Sequence, residues 1–372
     1  MKIAILTLPL ITNYGGILQA YALQTTLERM GHDVYVIAKK RKPLSLPIYK
    51  MPFSYGKRII KNLIGRRFPL FYEQKINRER PIIQQYTDEF IHKYIHLKQY
   101  DTFSDILPSE YDAFVVGSDQ VWRPKYFGAN QIENAYLQFT ESWDVKRLAY
   151  AASFGTENWE YTPKQTEECS RLAKLFNAIS VREDSGVELC EKYLGVDAHH
   201  VLDPTMLLNE EDYVSLFKKQ NTPPSKGKLL TYILDNTPEK EALIKNISET
   251  LSLKPFQVNS KEHNPYAPIS ERIQPPVEQW LRGFYDAQFV ITDSFHACVF
   301  SILFRKQFIV YGNEERGMAR FKSLLTTLEL GNRMVTTTNN LDNIGEIDYN
   351  KVYIKLDKLR KQSLLFISKI NL

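Results

Sequence analysis

Short apolar runs that end in polar or glycine residues alternate with helical stretches along this chain, and this alternation limits the possible folds more than any other feature. The clearest unit is the apolar run Phe289-Val290-Ile291, which predicts a buried strand and is followed by Thr292-Asp293-Ser294 and an apolar helix over 295–304. Strands that alternate with helices indicate a parallel sheet covered by helices. The polar residues between them then lie at the carboxyl edge of the sheet, where open α/β folds bind ligands.

The predicted strands fall into two groups, separated by a polar, proline-containing stretch. They lie near residues 1–8, 34–37, 111–117, 148–152, 178–181 and 200–202, and then near 229–234, 254–258, 289–291 and 307–311. A chain of 372 residues exceeds one ordinary hydrophobic core, so we expect two domains. The expected fold is α/β, with two Rossmann-like domains that face each other across a cleft. We assign the first domain to 1–205, the second to 206–350, and to 351–372 a C-terminal helix that packs back on the first domain.

Composition and cysteine usage favour a cytoplasmic protein. Hydrophobic residues make up 43% of the chain and charged residues 24%, as is usual for a soluble globular protein. The three cysteines have neither metal-ligand nor C-x-x-C spacing, which is typical of a reducing compartment. We find no signal peptide before the first predicted strand and no apolar run of about 18 residues, so we expect no membrane span.

The segment 39–67, called the basic segment below, is unlike the rest of the chain. It carries ten Lys and Arg residues and no Asp or Glu, so the remainder has a net charge of −5 although the whole chain carries +5. Aromatic and aliphatic residues are interleaved with the basic ones. This mixture suits peripheral binding to the anionic inner face of a membrane, or a phosphate-rich partner. The alternative is a solvated loop and helix beside the cleft. Nucleic-acid binding is not expected, because no recognisable motif is present.

Two strand ends in the first domain carry residues suited to a sugar. Asn13, Gly15, Gly16 and Gln19 form a glycine turn at the start of a predicted helix, where backbone can approach a phosphate or sugar oxygen closely. The turn is not G-x-G-x-x-G, which disfavours a dinucleotide. The segment Gly117-Ser118-Asp119-Gln120-Val121-Trp122 offers a carboxylate, an amide and an indole, and Asp119 can act as a base towards a hydroxyl. The alternatives are a tight turn, a capping Asp and a core Trp.

Other strand ends carry residues suited to an anion. Arg182 follows the predicted strand 178–181, and arginine binds carboxylate or phosphate through two hydrogen bonds. Arg316 and Arg320 lie in or after a glycine-bounded loop that can close on an anion. Ser294 and His296 begin a predicted helix, where backbone N–H groups and the helix dipole favour negative charge. The alternatives are structural ion pairs, solvated arginines, and a helix cap beside a packed histidine.

Several enzyme classes are disfavoured. The adjacent pair His199-His200 leads into a predicted strand, where neighbouring side chains point in opposite directions, so we expect no metal site there. The chain lacks H-E-x-x-H, the P-loop and G-x-S-x-G, which disfavours zinc proteases, NTPases and α/β-hydrolases. The polar strand ends therefore favour a cleft for a sugar and a compact anion.

Taken in order, these segments resemble the polysaccharide pyruvyl transferase family. The resemblance lies in Asn13-Tyr14-Gly15-Gly16-Ile17-Leu18-Gln19-Ala20-Tyr21-Ala22-Leu23, Val116-Gly117-Ser118-Asp119-Gln120-Val121-Trp122, Tyr150-Ala151-Ala152-Ser153-Phe154-Gly155, Ser180-Val181-Arg182-Glu183, Val201-Leu202-Asp203-Pro204-Thr205 and Thr292-Asp293-Ser294-Phe295-His296. It spans about residues 1–335 and leaves out the basic segment. Ala297 departs from the pattern, since family members often have glycine there.

The resemblance implies a GT-B-like fold, with the acceptor on the first domain and the donor on the second. It implies transfer of the pyruvyl group of phosphoenolpyruvate onto two hydroxyls of a sugar, in a surface polysaccharide or its lipid-linked precursor. The products are a cyclic ketal and phosphate, and the reaction needs neither a metal nor a further cofactor. Two alternatives remain: a GT-B glycosyltransferase that uses a nucleotide sugar, and a non-catalytic sugar-binding module.

The resemblance also implies roles for particular residues. The expected catalytic residues are Asp119 as the base, Arg182 on the phosphate or carboxylate, and His296 holding the phosphate and able to protonate it. The expected donor contacts are Arg182, Ser294, His296, Arg316 and Arg320. The expected acceptor contacts are Asn13, Gly15, Gly16, Gln19, Ser118, Gln120, Trp122 and Ser153. No residue is assigned as the acid that protonates the methylene carbon.

Overall fold

The computed structural model describes residues 1–65, 69–262, 264–312, 317–335 and 345–371. The first half contains β1 (Lys2–Leu6), α1 (Tyr14–Arg29), β2 (Asp33–Lys39), α2 (Met51–Leu63), α3 (Tyr72–Tyr94), β3 (Leu97–Tyr100), β4 (Ala113–Val116), α4 (Pro124–Phe127), β5 (Lys146–Ala152), α5 (Pro163–Ala173), β6 (Ala178–Val181), α6 (Asp184–Leu189) and β7 (His199–His200). The second half contains α7 (Glu210–Lys219), β8 (Leu229–Tyr232), α8 (Pro238–Leu251), β9 (Pro255–Phe256), α9 (Ile269–Arg272), α10 (Val277–Asp286), β10 (Phe289–Thr292), α11 (Phe295–Leu303), β11 (Gln307–Tyr311), α12 (Ala319–Thr327), β12 (Met334–Val335) and α13 (Tyr349–Ile367).

The strands form two parallel sheets, one in each half of the chain. The first has seven strands in the order β3-β2-β1-β4-β5-β6-β7, and the second has five in the order β12-β11-β10-β8-β9. In the first sheet the chain reverses direction across the sheet between β1 and β4, and in the second between β10 and β8. Open α/β sheets bind ligands at the carboxyl edge beside such switch points. These sheets confirm the predicted α/β fold with two Rossmann-like domains.

The two domains share one hydrophobic core, in which α1 of the first meets α10 and α11 of the second. Tyr14 donates a hydrogen bond to the Pro275 carbonyl at 2.7 Å, and its ring stacks on Trp280 with centroids 5.6 Å apart. Every residue of α11 is buried, which explains why this helix is apolar on all sides. The carboxyl edges of the two sheets consequently face each other.

The C-terminal helix α13 packs on the first domain, as predicted, and it also contacts the second domain. At its start Tyr353 donates to the Leu303 carbonyl in the second domain at 2.7 Å. Towards its end Ser363 accepts a hydrogen bond from the Leu202 backbone N–H at 3.0 Å, and Phe366 packs near Tyr150 of the first domain. Within the described residues no helix combines the length and the apolar character that crossing a membrane requires.

Several element boundaries differ from the sequence predictions, and two of the differences have a clear local cause. The strand predicted at 200–202 is limited to His199–His200, because Ser363 takes the N–H of Leu202 and Asp203 then begins a helical turn. The apolar spacing over 169–176 predicts a helix there, but α5 already begins at Pro163, because Thr162 and Gln165 form a capping box. Both differences depend on side-chain hydrogen bonds that apolar periodicity does not report.

Candidate functional site

Charged side chains from both domains meet between the two sheets, in what we call the buried charge cluster: Asp119, Arg182, Asp203, His296 and Arg320. The first three follow β4, β6 and β7 of the first domain, and the last two lie in the first turns of α11 and α12 of the second. All five are buried. The cluster therefore exists only when the two domains are packed together.

Arg182 holds the two carboxylates of the cluster. Its Nη1 donates to Asp203 Oδ2 at 2.6 Å and its Nη2 to Asp119 Oδ1 at 3.0 Å, while only 1% of its side chain is exposed. Burial alone would lower the pKa of Arg182, but the Asp203 and Asp119 carboxylates raise it above its ordinary value. Arg182 is thus charged and engaged on two sides, and removing it would leave two buried carboxylates without their main partner.

Both carboxylates are ionised for the same reason. Burial opposes ionisation of Asp119, yet Arg182, His296 and Arg320 together keep its pKa below the ordinary value. Burial likewise opposes ionisation of Asp203, but the adjacent His296 imidazole and the charge of Arg182 keep its pKa low. Asp119 also has φ of +63°, in the left-handed region that aspartate tolerates better than most residues.

His296 lies where the N-termini of two helices meet. Its Nε2 is 3.6 Å from Asp203 Oδ2, and it makes no hydrogen bond with any described residue. A Cβ on Gly15, in the first turn of α1, would come within 2.0 Å of His296 Nδ1, so only glycine allows this approach. Because helix N-termini are electropositive, an imidazole between α1 and α11 lies in a position that favours an anion.

Arg320 adds a second guanidinium to the cluster. Its Nη1 lies 4.0 Å from Asp119 Oδ1. The ring of Phe295 contacts both guanidiniums, with its centroid 4.7 Å from Arg182 Cζ and 5.3 Å from Arg320 Cζ. Burial and the neighbouring Arg182 lower the pKa of Arg320 to about 10. An anion bound beside Arg320 would offset the repulsion between the Arg182 and Arg320 guanidiniums.

Glu183 organises the loop after β5. Its Oε1 accepts hydrogen bonds from Ser153 Oγ at 3.0 Å and from the N–H groups of Phe154 and Gly155 at 2.7 and 2.9 Å. The Gly155 carbonyl in turn packs so closely on Gly317 that a Cβ there would approach it to 1.9 Å. The loop after β5 and the start of α12 are therefore joined across the two domains.

Several predicted acceptor contacts instead support the loop that carries Asp119. Gln19 accepts from the Ser118 N–H at 3.0 Å and donates to Thr7 Oγ1 at 2.9 Å, and both Gln19 and Ser118 are fully buried. Ser153 is also fully buried and is engaged by Glu183. These three residues lie beside the cluster and hold the backbone of the loops that follow β4 and β5.

Trp122 is not brought to the cleft. Its side chain is 0% exposed, its Nε1 donates to the Ala135 carbonyl at 3.0 Å, and its ring stacks on Tyr136 with centroids 4.8 Å apart. Neither ring face is open to a sugar, because a fully buried indole already has its apolar partners. The core position was the alternative that the sequence left open.

The remaining predicted residues are distributed around the cluster. Asn13 is exposed and borders Gly16, Ser294 is partly exposed, and Gln120 is buried against Gly155. Arg316 lies outside the described residues. Within the described residues no group of three or more His, Cys, Asp or Glu side chains is arranged to hold a metal ion.

Sequence reasoning missed Asp203, Glu183 and Phe295 as parts of the site. Asp203 and Glu183 stand in the segments that carried the family resemblance, directly after strands, so their position at a strand end was the available signal. Their roles depend on contacts with Arg182, His296 and Ser153, which lie far away along the chain.

The model of the polysaccharide pyruvyl transferase family matches residues 13–315. The chain belongs to this family. It is therefore a transferase of the polysaccharide pyruvyl transferase type. The match includes the glycine turn of α1, all of the first domain's cluster residues and His296 of the second. A comparison with curated proteins finds no match.

Solved structures of nucleotide-sugar enzymes are similar to the pyruvyl transferase chain at low identity. Arabidopsis thaliana UGT89C1 complexed with UDP-L-rhamnose is 10% identical, with a TM-score of 0.49 over 99% of this chain and 97% of that one. UDP-GlcNAc 2-epimerase from Neisseria meningitidis is 9% identical, with a TM-score of 0.48 over 100% of this chain and 94% of that one. A putative UDP-N-acetylglucosamine 2-epimerase from Listeria monocytogenes is 13% identical, with a TM-score of 0.45 over 97% and 91%.

Proposed function

We propose that this pyruvyl transferase uses phosphoenolpyruvate as its donor and forms a cyclic ketal on a sugar of a surface polysaccharide or its lipid-linked precursor. The observation that carries the proposal is the buried charge cluster between two helix N-termini. Phosphoenolpyruvate carries a phosphate and a carboxylate within a few bonds of each other, so it requires several cationic donors in one small volume. Arg320, His296 and the first turn of α11 supply such donors.

In this proposal the phosphate binds at the N-terminus of α11, where Ser294, His296 and the backbone N–H groups can donate to it. Arg320 binds the phosphate or the carboxylate, and Arg316 is retained as a further donor contact. Arg182 contributes its charge while it holds Asp119 and Asp203 in place. The reaction needs no cofactor besides the donor itself.

The chemistry then divides into two additions. The first sugar hydroxyl forms a C–O bond to C2 of the donor while C3 gains a proton, which converts the methylene group to a methyl group. The C2–O bond to phosphate then breaks, and the second hydroxyl adds to C2 and completes the ketal. Of the two hydroxyl protons released, one balances the proton gained by C3 and the other leaves on phosphate. The acid that protonates C3 is not assigned.

Asp119 is the proposed base for the hydroxyls, and the cluster suggests how its basicity depends on the donor. Without the donor the cations of the cluster keep the pKa of Asp119 low, so it is a weak base. A bound dianion would compete for Arg320 and His296 and would raise the pKa of Asp119. In this way donor binding would precede activation of the acceptor. His296 would carry the proton to the leaving phosphate.

The sugar acceptor is proposed to enter from the first domain, along Asn13, Gly15, Gly16 and Gln120. Gln19, Ser118 and Ser153 contribute through the loops that they hold. Trp122 is not retained as a direct contact, because its ring is buried in the core.

The direct test is transfer by the full-length enzyme. Phosphoenolpyruvate and a panel of sugar acceptors are incubated with it, phosphate release is measured, and the product is analysed by mass spectrometry for an added pyruvyl ketal. His296→Asn and Arg320→Gln should reduce phosphate release at least about 100-fold, as expected for loss of a preorganised anion contact. Binding of a nucleotide sugar but not phosphoenolpyruvate, measured by calorimetry, would favour a glycosyltransferase instead.

The basic segment is proposed to contact the anionic inner face of a membrane. Its helix α2 is attached by its polar side: Arg58 donates to Glu73 Oε1 and Oε2 at 2.5 and 2.9 Å, and the rings of Tyr55 and Phe71 lie 5.8 Å apart. Its apolar side faces outwards, with Phe53 74% and Leu63 81% exposed. This orientation is the reverse of that in an ordinary surface helix.

The exposed residues of α2 form one continuous face. Phe53, Ile60 and Ile64 follow the i, i+7, i+11 spacing of one helix side, and Lys57 and Lys61 lie on the adjoining side. An apolar face bordered by lysines is typical of helices that lie in the interface of an anionic bilayer, where each basic residue contributes about 1 kcal/mol.

Flotation with vesicles tests this part of the proposal. The wild-type enzyme should float with vesicles that contain phosphatidylglycerol but not with phosphatidylcholine alone. The variant Phe53→Ser/Ile60→Ser/Leu63→Ser should lose flotation. The control Ile354→Ser/Leu365→Ser removes two side chains that are each 73% exposed on α13 and should float normally. Equal flotation of both variants would contradict a role for α2.

A further inference from the structure

A second basic site lies at the carboxyl edge of the first sheet, beside the glycine turn. Its walls come from the loop after β1 (Leu10, Ile11), the chain after β2 (Lys40, Arg41) and α3 (Arg80, Asp88), and it encloses about 470 Å³. We call it the β2 pocket. It is separate from the buried charge cluster, and none of its residues belongs to the site described above.

Four cationic side chains line the β2 pocket: Lys39, Lys40, Arg41 and Arg80. Within the described residues neither Arg41 nor Arg80 forms a hydrogen bond or a close ion pair, whereas Lys40 pairs with Asp101 at 3.3 Å. Partial burial and the nearby Arg80 lower the pKa of Arg41, and Asp88 opposes this effect. Two guanidiniums thus share a concave site with one carboxylate, an arrangement that a multiply charged anion would stabilise.

The sheet register relates this pocket to the buried charge cluster. Leu6 of β1 pairs with Ile37 of β2 on one side and with Val116 of β4 on the other. With strands about 4.8 Å apart, the ends of β2 and β4 are separated by roughly 10 Å. Arg41 follows the end of β2 and Asp119 follows the end of β4, so both sites open on the same edge.

The loop after β1 is common to both sites. Leu10 and Ile11 line the β2 pocket, and a few residues later Asn13 and Gly15 begin α1 next to His296. A separation of roughly 10 Å, set by two strand spacings, suits a sugar ring that carries a phosphate group. At this lateral separation one ligand can place its sugar at the end of β4 and an attached phosphate at the end of β2.

We infer that the β2 pocket binds a phosphate or diphosphate group attached to the acceptor sugar. The inference rests on the proposed function and specifies its acceptor: a sugar linked through phosphate, with Arg41 and Arg80 as the anion contacts. It also accounts for the position of α2, because Arg41 and α2 belong to the same basic segment and lie about ten residues apart in the chain. A lipid joined to the phosphate would then extend towards the exposed face of α2.

Binding of inorganic pyrophosphate tests the pocket directly. Calorimetry is performed on the full-length His296→Asn protein, so that an anion site at His296 contributes less to the measured pyrophosphate binding. Adding Arg41→Gln/Arg80→Gln should weaken pyrophosphate binding at least tenfold. The control Lys42→Gln/Arg78→Gln removes the same charge from neighbouring positions outside the pocket and should change binding less than threefold. Equal weakening in both double variants, or in neither, would overturn the inference.

Kinetics with paired acceptors then show whether the pocket serves the reaction. The same sugar is supplied free and as an alkyl diphosphate, in the otherwise wild-type enzyme. Arg41→Gln/Arg80→Gln should raise KM at least tenfold for the diphosphate and leave KM for the free sugar unchanged. An equal rise for both would overturn the inference. If no acceptor supports phosphate release, the proposed function fails, whereas pyrophosphate binding still decides whether the pocket is an anion site.

Vesicle flotation separates an acceptor phosphate from a membrane headgroup. The Arg41→Gln/Arg80→Gln enzyme should still float with phosphatidylglycerol vesicles, because α2 retains its exposed face. Loss of flotation together with unchanged pyrophosphate binding would overturn the inference and assign the two arginines to the membrane surface.

Discussion

The buried charge cluster and helix α2 place charged and apolar groups in opposite ways. In the cluster, Arg182 and the carboxylates of Asp119 and Asp203 are buried and satisfy one another across 2.6 to 3.0 Å. On α2 the polar side is packed inwards and large apolar side chains such as Phe53 and Leu63 face solvent. In the first arrangement the carboxylates are paired within the protein, and His296 Nε2 has no hydrogen-bond partner among the described residues. The second arrangement leaves large apolar side chains in contact with water, and this exposure is the reason for proposing that α2 binds a membrane surface.

This difference predicts in which region a substitution should change the free energy of unfolding. Buried charges contribute to the folded state through partners that cannot be replaced by water, so their removal is costly. Exposed groups of α2 are already hydrated, so their removal should leave folding nearly unchanged and alter only external contacts. Three substitutions and one change of pH test this contrast.

Arg182→Gln should have the largest effect. It leaves Asp119 and Asp203 buried without their guanidinium, which is expected to lower the free energy of unfolding by about 3–5 kcal/mol. Urea denaturation followed by circular dichroism measures the change. Arg171→Gln is the control, because this arginine pairs with Glu141 and Glu168 at the surface, where an ion pair contributes about 0–1 kcal/mol. If the free energy of unfolding fell by similar amounts in the two variants, the buried charges would stabilise the fold no more than the exposed ones.

Gly15→Ala should have the next largest effect, and it acts on the contact between the domains. The added Cβ would lie 2.0 Å from His296 Nδ1, so α1 and α11 must move apart at a cost of about 1–3 kcal/mol. The rate of phosphate release should fall as well, because the added Cβ displaces His296. Gly16→Ala is a matched control, since its nearest neighbour would be Asn13 Nδ2 at 3.3 Å. Wild-type urea midpoints and rates in Gly15→Ala would contradict the close approach of the two helices.

Acid should destabilise the protein through the cluster carboxylates. The pKa values of Asp119 and Asp203 are lower in the folded protein than in the unfolded chain, where an aspartate titrates near about 3.9. Their stabilisation is therefore complete above that value and is lost as pH falls below it, by at most about 1.4 kcal/mol per pH unit for each carboxylate. Urea midpoints between pH 6 and pH 3 should show a shallower slope in Asp203→Asn than in the wild type. The exposed Asp197→Asn should retain the wild-type slope.

Substitutions on α2 should have the smallest effect on folding. Phe53→Ser/Ile60→Ser/Leu63→Ser changes side chains that are mostly exposed, so the free energy of unfolding should change by less than about 0.5 kcal/mol per site. Thermal unfolding measures this change, and the same protein serves in the flotation experiment. A loss of several kcal/mol would mean that this face is packed in solution, and the contrast with the cluster would fail.

Much of the architecture was predictable because its signals are local. The strands Ala178–Val181 and Gln307–Tyr311 have the predicted bounds, since their apolar runs and the polar residues that end them are adjacent in the chain. The order of strands and helices indicated two parallel sheets, and the motifs indicated the family. The positions of Asp119, Arg182 and His296 at strand ends followed from the same local patterns.

Contacts between distant residues were not predictable in this way. Trp122 could face a sugar or the core, and its burial against Tyr136 depends on the packing of the chain after α4. Asp203 gained its role from Arg182 and His296, which reach it from a neighbouring strand and from the other domain. Periodicity within an element does not encode which elements become neighbours.

The α/β class, the succession of two domains, the family and the types of side chain at the strand ends could all be read from the amino-acid sequence, because each depends on residues close together in the chain. The contacts of Arg182 with two carboxylates, the close approach of Gly15 to His296 and the outward apolar side of α2 became known from the three-dimensional structure. Each of these depends on how separate elements pack, and packing is set by the whole core that the two domains share.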